Sequence, residues 1–108
     1  MTPRQRKWRY CHPFEGDAFY KPRGVPLASL EITELQHDEF EAMRLCDSEG
    51  LDQEKAGEKM GVSRGTIQRL LYSGRKKVVE ALGKSKAIKL VGHEFIMPPR
   101  GRRFRNGW

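Results

Sequence analysis

The 108-residue chain lacks any apolar run of the ~20 residues that a membrane-spanning helix needs, and its first residues are charged where a secretory signal would be apolar. Both absences point to the cytoplasm. Cysteine is scarce: Cys11 and Cys46 have no C-x2-C partner, so reduced thiols are expected. His12, His37 and His93 are too far apart for an H-x3-H pair, and adjacent Cys11-His12 cannot by itself close a tetrahedral site. No metal and no cofactor is therefore expected. Nucleophile motifs and internal repeats are also missing, and so short a chain leaves little room for an enzyme-sized cleft. An enzyme is not expected.

Acidic residues are scarce everywhere except in one block. Residues 1–23 hold two acids against six Lys and Arg, residues 61–90 one against eight, and residues 91–108 one against four. Residues 31–60 reverse this, with ten acids against three bases, and the whole chain carries +7. Charge sorted in this way makes a sided field, with one face attracting a polyanion and the other repelling it. The acids read as a solvated helical face that keeps the domain from meeting DNA the wrong way round. The livelier alternative is a contact for RNA polymerase. A membrane surface fits poorly, because no long Lys-rich amphipathic helix is present.

The most informative stretch runs from Gly50 to Leu82. Asp52 is suited to cap a helix over Gln53–Met60, and Gly61 is suited to end it in the left-handed conformation. Val62 plugs the corner, and Ser63 caps a second helix reaching about Ala81. Two short helices so closely joined fit a helix-turn-helix. Ile67, Leu70, Leu71, Gly74, Val78 and Leu82 recur at spacings of three and four, which predicts an inward stripe. Arg64, Gln68, Arg69, Tyr72, Arg75 and Lys76 lie on the other side, with Ser63 and Gly65 at the helix start. Arg and Gln carry the forked donors and acceptors that match guanine and adenine edges in the major groove. The cations further along suit phosphates.

The fold expected is mainly α: a three-helix core with a helix-turn-helix, short N- and C-terminal strands, and basic flexible tails. Residues 1–10 form a basic arm, in which Arg4, Arg6, Lys7 and Arg9 would lie along DNA phosphates or reach a minor groove. Residues 11–36 are turn-rich and pack on the core, with a short strand near Phe19 and Leu27, Leu30, Ile32 and Leu35 directed inward. Residues 37–92 make the helical domain. Its first helix covers Asp38 to Ser48, with Phe40, Met43 and Leu45 or Cys46 inward and Gly50 closing it. Gly83 should break the long basic helix. Lys86 to Val91 reads as a strand that pairs near Phe19 or forms a small wing, and residues 93–108 form a basic tail.

These residues also carry a family likeness. The chain resembles a family of short uncharacterised prokaryotic proteins described as predicted DNA-binding proteins, whose helix-turn-helix is similar to region four of bacterial sigma factors. The resemblance rests on Tyr20-Lys21-Pro22-Arg23-Gly24-Val25-Pro26-Leu27, on Asp38-Glu39-Phe40-Glu41-Ala42-Met43-Arg44-Leu45, and on Glu49-Gly50-Leu51 followed by Gln53-Glu54. It continues through Met60-Gly61-Val62-Ser63-Arg64 to Ala87 and the apolar residues after it, so it spans residues 4–92. It implies a regulator-type DNA-binding module. Four positions depart from the family pattern: Gln36 in place of a Ser or Thr cap, Lys55 for Glu, Gly57 for Ala, and Gly65 where Pro is frequent. Some members carry a further domain resembling nitrogenase cofactor-binding proteins, for which this chain is too short.

Double-stranded DNA is thus the expected partner, and the chain a transcriptional regulator. Two other readings stay open: single-stranded RNA held by the basic, aromatic tails, and a sigma-like adaptor on RNA polymerase. A homodimer is expected on a repeated operator, since one recognition helix reads few base pairs. The Ile88-Leu90 strand edge and the Tyr20-to-Leu30 segment are the candidate interfaces, while a monomer clamping DNA with its two basic ends is the contrary case.

Overall fold

The computed structural model describes residues 9–11, 18–92 and 96–97. Among these residues the chain forms three helices, a small three-stranded sheet and a second short strand pair. No helix is long and apolar enough to cross a membrane.

Helix α1 (His37–Met43) begins at Gln36 without a Ser or Thr cap. Glu39 makes up part of the loss, because its carboxylate accepts the backbone N–H of Gln36 at 2.9 Å. The helix then widens into a π-helical segment, Arg44–Ser48, so the Asp38-to-Ser48 helix expected from the sequence exists but changes pitch. It closes with bonds from Glu49 N–H to Arg44 O and Leu51 N–H to Leu45 O, beside Gly50 at φ 80°. Helix α2 covers Gln53–Met60 and helix α3 Arg64–Gly83.

The strands join the ends of this helical run. Strand β1 is Arg9–Tyr10, β2 Phe19–Tyr20, β3 Ile32–Gln36, β4 Ala87–Val91 and β5 Ile96–Met97. The main sheet has the order β2-β4-β3. Strand β4 pairs antiparallel with β2, Phe19 opposite Lys89, as the sequence suggested. It also pairs parallel with β3 from Ile32–Ala87 to Gln36–Val91, a partner that the sequence reading took for a core-directed segment. The parallel geometry requires a long crossover, and all three helices lie within it. Strand β4 is therefore central. Its Ile88-Leu90 stretch is bonded on both sides and is not the free edge that a dimer was expected to use. Strand β1 pairs in parallel with β5, which ties one residue pair of the expected arm to one of the expected tail. The segment before residue 37 and the helical part after it share the main sheet, through the pairing of β3 with β4.

Cys11, Ala42, Leu45, Ala56, Met60, Ile67 and Leu71 form the buried core, with Met43, Cys46, Leu51, Val62 and Leu70 packed against it. On α3, Ile67, Leu71 and Gly74 are buried as expected. Leu82 is not: it is 73% exposed, and Ala81 takes the inward place. From Val78 the inward line continues three residues on, and the Ala81 carbonyl is bonded by Lys86 N–H at 2.9 Å as the chain turns into β4. Helix α3 does end at Gly83, where the sequence placed the break. The left-handed turn falls on Ser85 at φ 55°. Of the segment expected to face the core, Leu35 is buried, whereas Ile32 is 45% exposed and Leu27 36%.

Two helices can only meet closely where a side chain is missing. A Cβ on Gly57 would lie 2.7 Å from the Val62 carbonyl oxygen, and one on Gly74 would lie 3.1 Å from Met43 Cε. The first contact is with backbone, which cannot swing aside. Gly57→Ala should therefore destabilise the fold by about 1–3 kcal/mol, although alanine alone favours a helix by ~1 kcal/mol over glycine. Urea denaturation of the two proteins checks this; a stabilised variant would show that the approach is looser than described.

Candidate nucleic-acid interface

The corner between α2 and α3 is built from local chemistry. The Asp52 carboxylate accepts Lys55 N–H at 2.8 Å at the start of α2. Gly61 ends that helix at φ 74°, and Val62 N–H donates to the Gly57 carbonyl at 3.0 Å, a Schellman-type closure. Ser63 Oγ then accepts Thr66 N–H at 3.1 Å to start α3. Tyr10 from β1 lies against the turn: a Cβ on Gly61 would fall 2.8 Å from its ring. These caps are the ones expected from Asp52, Gly61 and Ser63.

Ser63, Arg64, Gly65, Gln68, Arg69, Tyr72, Arg75 and Lys76 are all exposed. Arg69 is steadied by Thr66 Oγ1 at 3.1 Å. No described acid pairs with Arg64, Arg69 or Lys76. Arg75 differs. Its guanidinium grips Asp47 through two bonds of 3.1 and 2.6 Å, and this hydrogen bonding raises its pKa further. Both groups are about half exposed, so the pair adds little stability, but it withdraws one cation from the face. An open groove of about 470 Å³ runs beside α3, lined by Gln53, Gln68, Tyr72, Lys76 and Val79 among others. Nothing in the residue pattern around Asp47 signalled this pairing, because it joins residues 28 apart.

Seven of the ten acids of residues 31–60 are exposed as expected, namely Glu31, Glu34, Asp47, Glu49, Asp52, Glu54 and Glu58, and the departure lies in the other three. Asp38, Glu39 and Glu41 are buried, not solvated. Each is neutralised by a cation. Arg9 Nη1 lies 2.6 Å from Asp38, Lys77 Nζ 2.9 Å from Glu39, and Arg44 Nε 2.9 Å from Glu41. Ser73 Oγ also donates to Glu39. Arg44 reaches on to Glu49 at 2.9 Å, and its pKa is raised first by the hydrogen bonds to Glu41. Burial forces this pairing, because an unpaired charge out of water is costly. Arg9, expected as an arm cation for phosphates, is thus committed to the fold. Arg4, Arg6 and Lys7 lie outside the described residues, as do His12, His93 and the cations of residues 98–108.

Among the described residues, no group of His, Cys, Asp and Glu could hold a metal ion. Both cysteines are free, Cys11 buried and Cys46 half-buried. Burial pushes the Cys11 thiol far up, and neighbouring Glu41 and Asp38 push it the same way. Cys46 is raised by burial and then by Asp47.

The family model described as "Protein of unknown function DUF134" matches residues 1–98, and the chain belongs to this family. A UPF0251 protein of Dehalococcoides mccartyi is 45% identical over 98 residues, covering 91% of this chain and 84% of its own. One from Caldanaerobacter subterraneus subsp. tengcongensis is 39% identical over 112 residues, covering 98% and 95%. An archaeal relative, a UPF0251 protein of Methanosarcina acetivorans, is 49% identical over 78 residues, covering 72% and 70%. The family is thus prokaryotic, with members in bacteria and archaea. No solved structure matches the chain.

The buried ion pairs lead to two expected outcomes. Glu39→Ala leaves Lys77 and Ser73 without their acceptor and should cost about 2–4 kcal/mol, the lower part of the range for a broken buried pair because Lys77 is partly solvated. Glu39→Gln should recover part of the loss, and chemical denaturation of both variants checks the order. The second outcome concerns pH. The folded chain keeps the Cys11 proton where the unfolded chain, with an ordinary thiol value of 9.0, releases it. The unfolded state then binds fewer protons, so this contribution to stability is complete below about pH 9 and declines as pH rises beyond it. Cys11→Ala should flatten that alkaline decline in denaturation series, and an unaltered slope would place its cause elsewhere.

Proposed function

We propose that this chain is a sequence-specific double-stranded-DNA-binding protein, acting as a transcriptional regulator, in which α2, the Gly61–Ser63 corner and α3 work as a helix-turn-helix similar to that of sigma region four. The observation that carries the reading is the exposed face of α3. From Arg64 to Lys76 it offers Arg64, Gln68, Arg69, Tyr72 and Lys76 to solvent, with no acid in the sequence between them. α3 has its N-terminal residues at the corner, where a recognition helix presents side chains to base edges. Arg64, Gln68 and Arg69 would read bases, and Lys76 would meet a phosphate. Arg75 joins them only by releasing Asp47.

A polymerase adaptor would have to use the acids that stay on the surface, among them Glu49, Asp52, Glu54 and Glu58, because Asp38, Glu39 and Glu41 are buried. The RNA alternative rests on the tails, which lie outside the described residues.

A binding motif selected from random duplex DNA tests the proposal. Ala at Arg64, Gln68 or Arg69 should each cost about 1–3 kcal/mol of base discrimination, while circular dichroism stays unchanged. Survival of the selected motif in the triple variant would show that α3 does not read the sequence.

A further inference from the structure

Two arginines on the exposed side of α3 differ in freedom. Arg64 and Arg75 stand eleven residues apart, about three turns, so they leave the helix in nearly the same direction roughly 16 Å from each other. Both line an open cavity of about 510 Å³ whose other lining residues include three acids: Asp47 from the π-helical segment, and Asp52 and Glu54 from the start of α2. These acids are not equivalent. Asp52 is occupied in capping Lys55 N–H, and Glu54 has no ion pair among the described residues. Asp47 alone reaches a guanidinium, gripping Arg75 through the fork of 2.6 and 3.1 Å. Its backbone is held on both sides, since Arg44 Nη1 bonds Glu49 at 2.9 Å, Glu49 N–H returns to Arg44 O, and Leu51 N–H returns to Leu45 O. A carboxylate carried on so fixed a segment gives up little freedom on pairing, the loss that makes most exposed ion pairs weak.

We propose that Asp47 is an internal competitor that holds Arg75 back from polyanions, so that α3 binds with one cation fewer than its exposed side carries. The chemistry is an exchange of anions. A carboxylate and a phosphate accept the same forked N–H pair from a guanidinium, so a phosphate reaches Arg75 only where it displaces Asp47. Arg64, Arg69 and Lys76 have no described acid against them and are open to a polyanion from the start. Asp47 therefore acts as a filter. A strand that lies along Arg64 but does not set a phosphate where the Asp47 carboxylate stands gains nothing at Arg75, and binding to unsuited polyanions is kept weaker. The latch takes its purpose from the DNA-binding reading, but its contacts concern any polyanion.

Asp47→Asn and Glu54→Gln separate the latch from plain charge. Each raises the net charge by one beside the same cavity, and only the first breaks the fork. The readouts, taken on the full chain, are elution from heparin, a sulfated polyanion, and the salt dependence of binding to a random-sequence DNA duplex. Asp47→Asn should leave heparin at higher salt than Glu54→Gln. On the duplex it should steepen the log–log salt slope by ~0.9, the mark of one further phosphate contact, while Glu54→Gln keeps the wild-type slope. Adding Arg75→Ala to Asp47→Asn should remove both gains. Circular dichroism should not change, because both acids are exposed. Equal elution of Asp47→Asn and Glu54→Gln overturns the proposal, as do gains that survive the Arg75→Ala addition. A heparin difference with no motif selectable from random duplex DNA would sink the DNA reading and leave the latch standing.

Discussion

The position of α3 depends on one buried carboxylate. Glu39 accepts from the backbone at the start of its own helix and from Ser73 and Lys77 on α3, so it ties the first helix to the last. Gly74 stands between those two partners, and its missing side chain lets Glu39 and Met43 come close. The polar bond and the close approach need each other. Without the approach the carboxylate would be wet and the bonds weak, and without the bonds the approach would bury an unpaired charge. A basic helix is thus held at a fixed angle by an acid that never reaches its exposed face.

The N-terminal strand braces the same unit from the other side. Arg9 neutralises Asp38, Tyr10 covers the Gly61 corner, and Cys11 belongs to the same buried cluster as Ala56 and Met60. Three consecutive residues therefore contribute a charge, a ring and a buried thiol to the elements that carry the exposed cations. Under the proposed function, changes at these positions would act on DNA binding through the orientation of α3 and not through contact.

Local chemistry was legible in the sequence and long-range pairing was not. Asp52, Gly61 and Ser63 act on residues within five positions of themselves, so their caps and turn could be read directly. The inward stripe of α3 followed from its period as far as Val78, and failed at Leu82 because three- and four-residue steps both fit there. The buried acids were unreadable as such: a run of Asp and Glu looks solvated until Arg9, Ser73 and Lys77, remote in sequence, are brought to it. A signal did exist in Ser73-Gly74 followed by Lys77, polar residues flanking a small one on an otherwise core-facing helix side. Strand β3 was hidden for a similar reason, since Ile32 to Gln36 alternates weakly and gains its partner only 55 residues later. The exposed candidates on α3, by contrast, could be named from sequence because exposure of a charged helical face needs no partner.

The parallel pairing of β3 with β4 has a consequence for how the chain can be divided. Gln36, just before α1, sits opposite Val91, and Ala87, just after α3, sits opposite Ile32. The three helices are therefore a loop clasped at its base. A fragment cut at residue 37 would keep α3 and its cations but strip β4 of one neighbour along five residues. A row of backbone donors and acceptors would then face outward, free to pair with the same row on another fragment. The strand that closes the loop in the whole chain would become, in the excised helical piece, its point of aggregation.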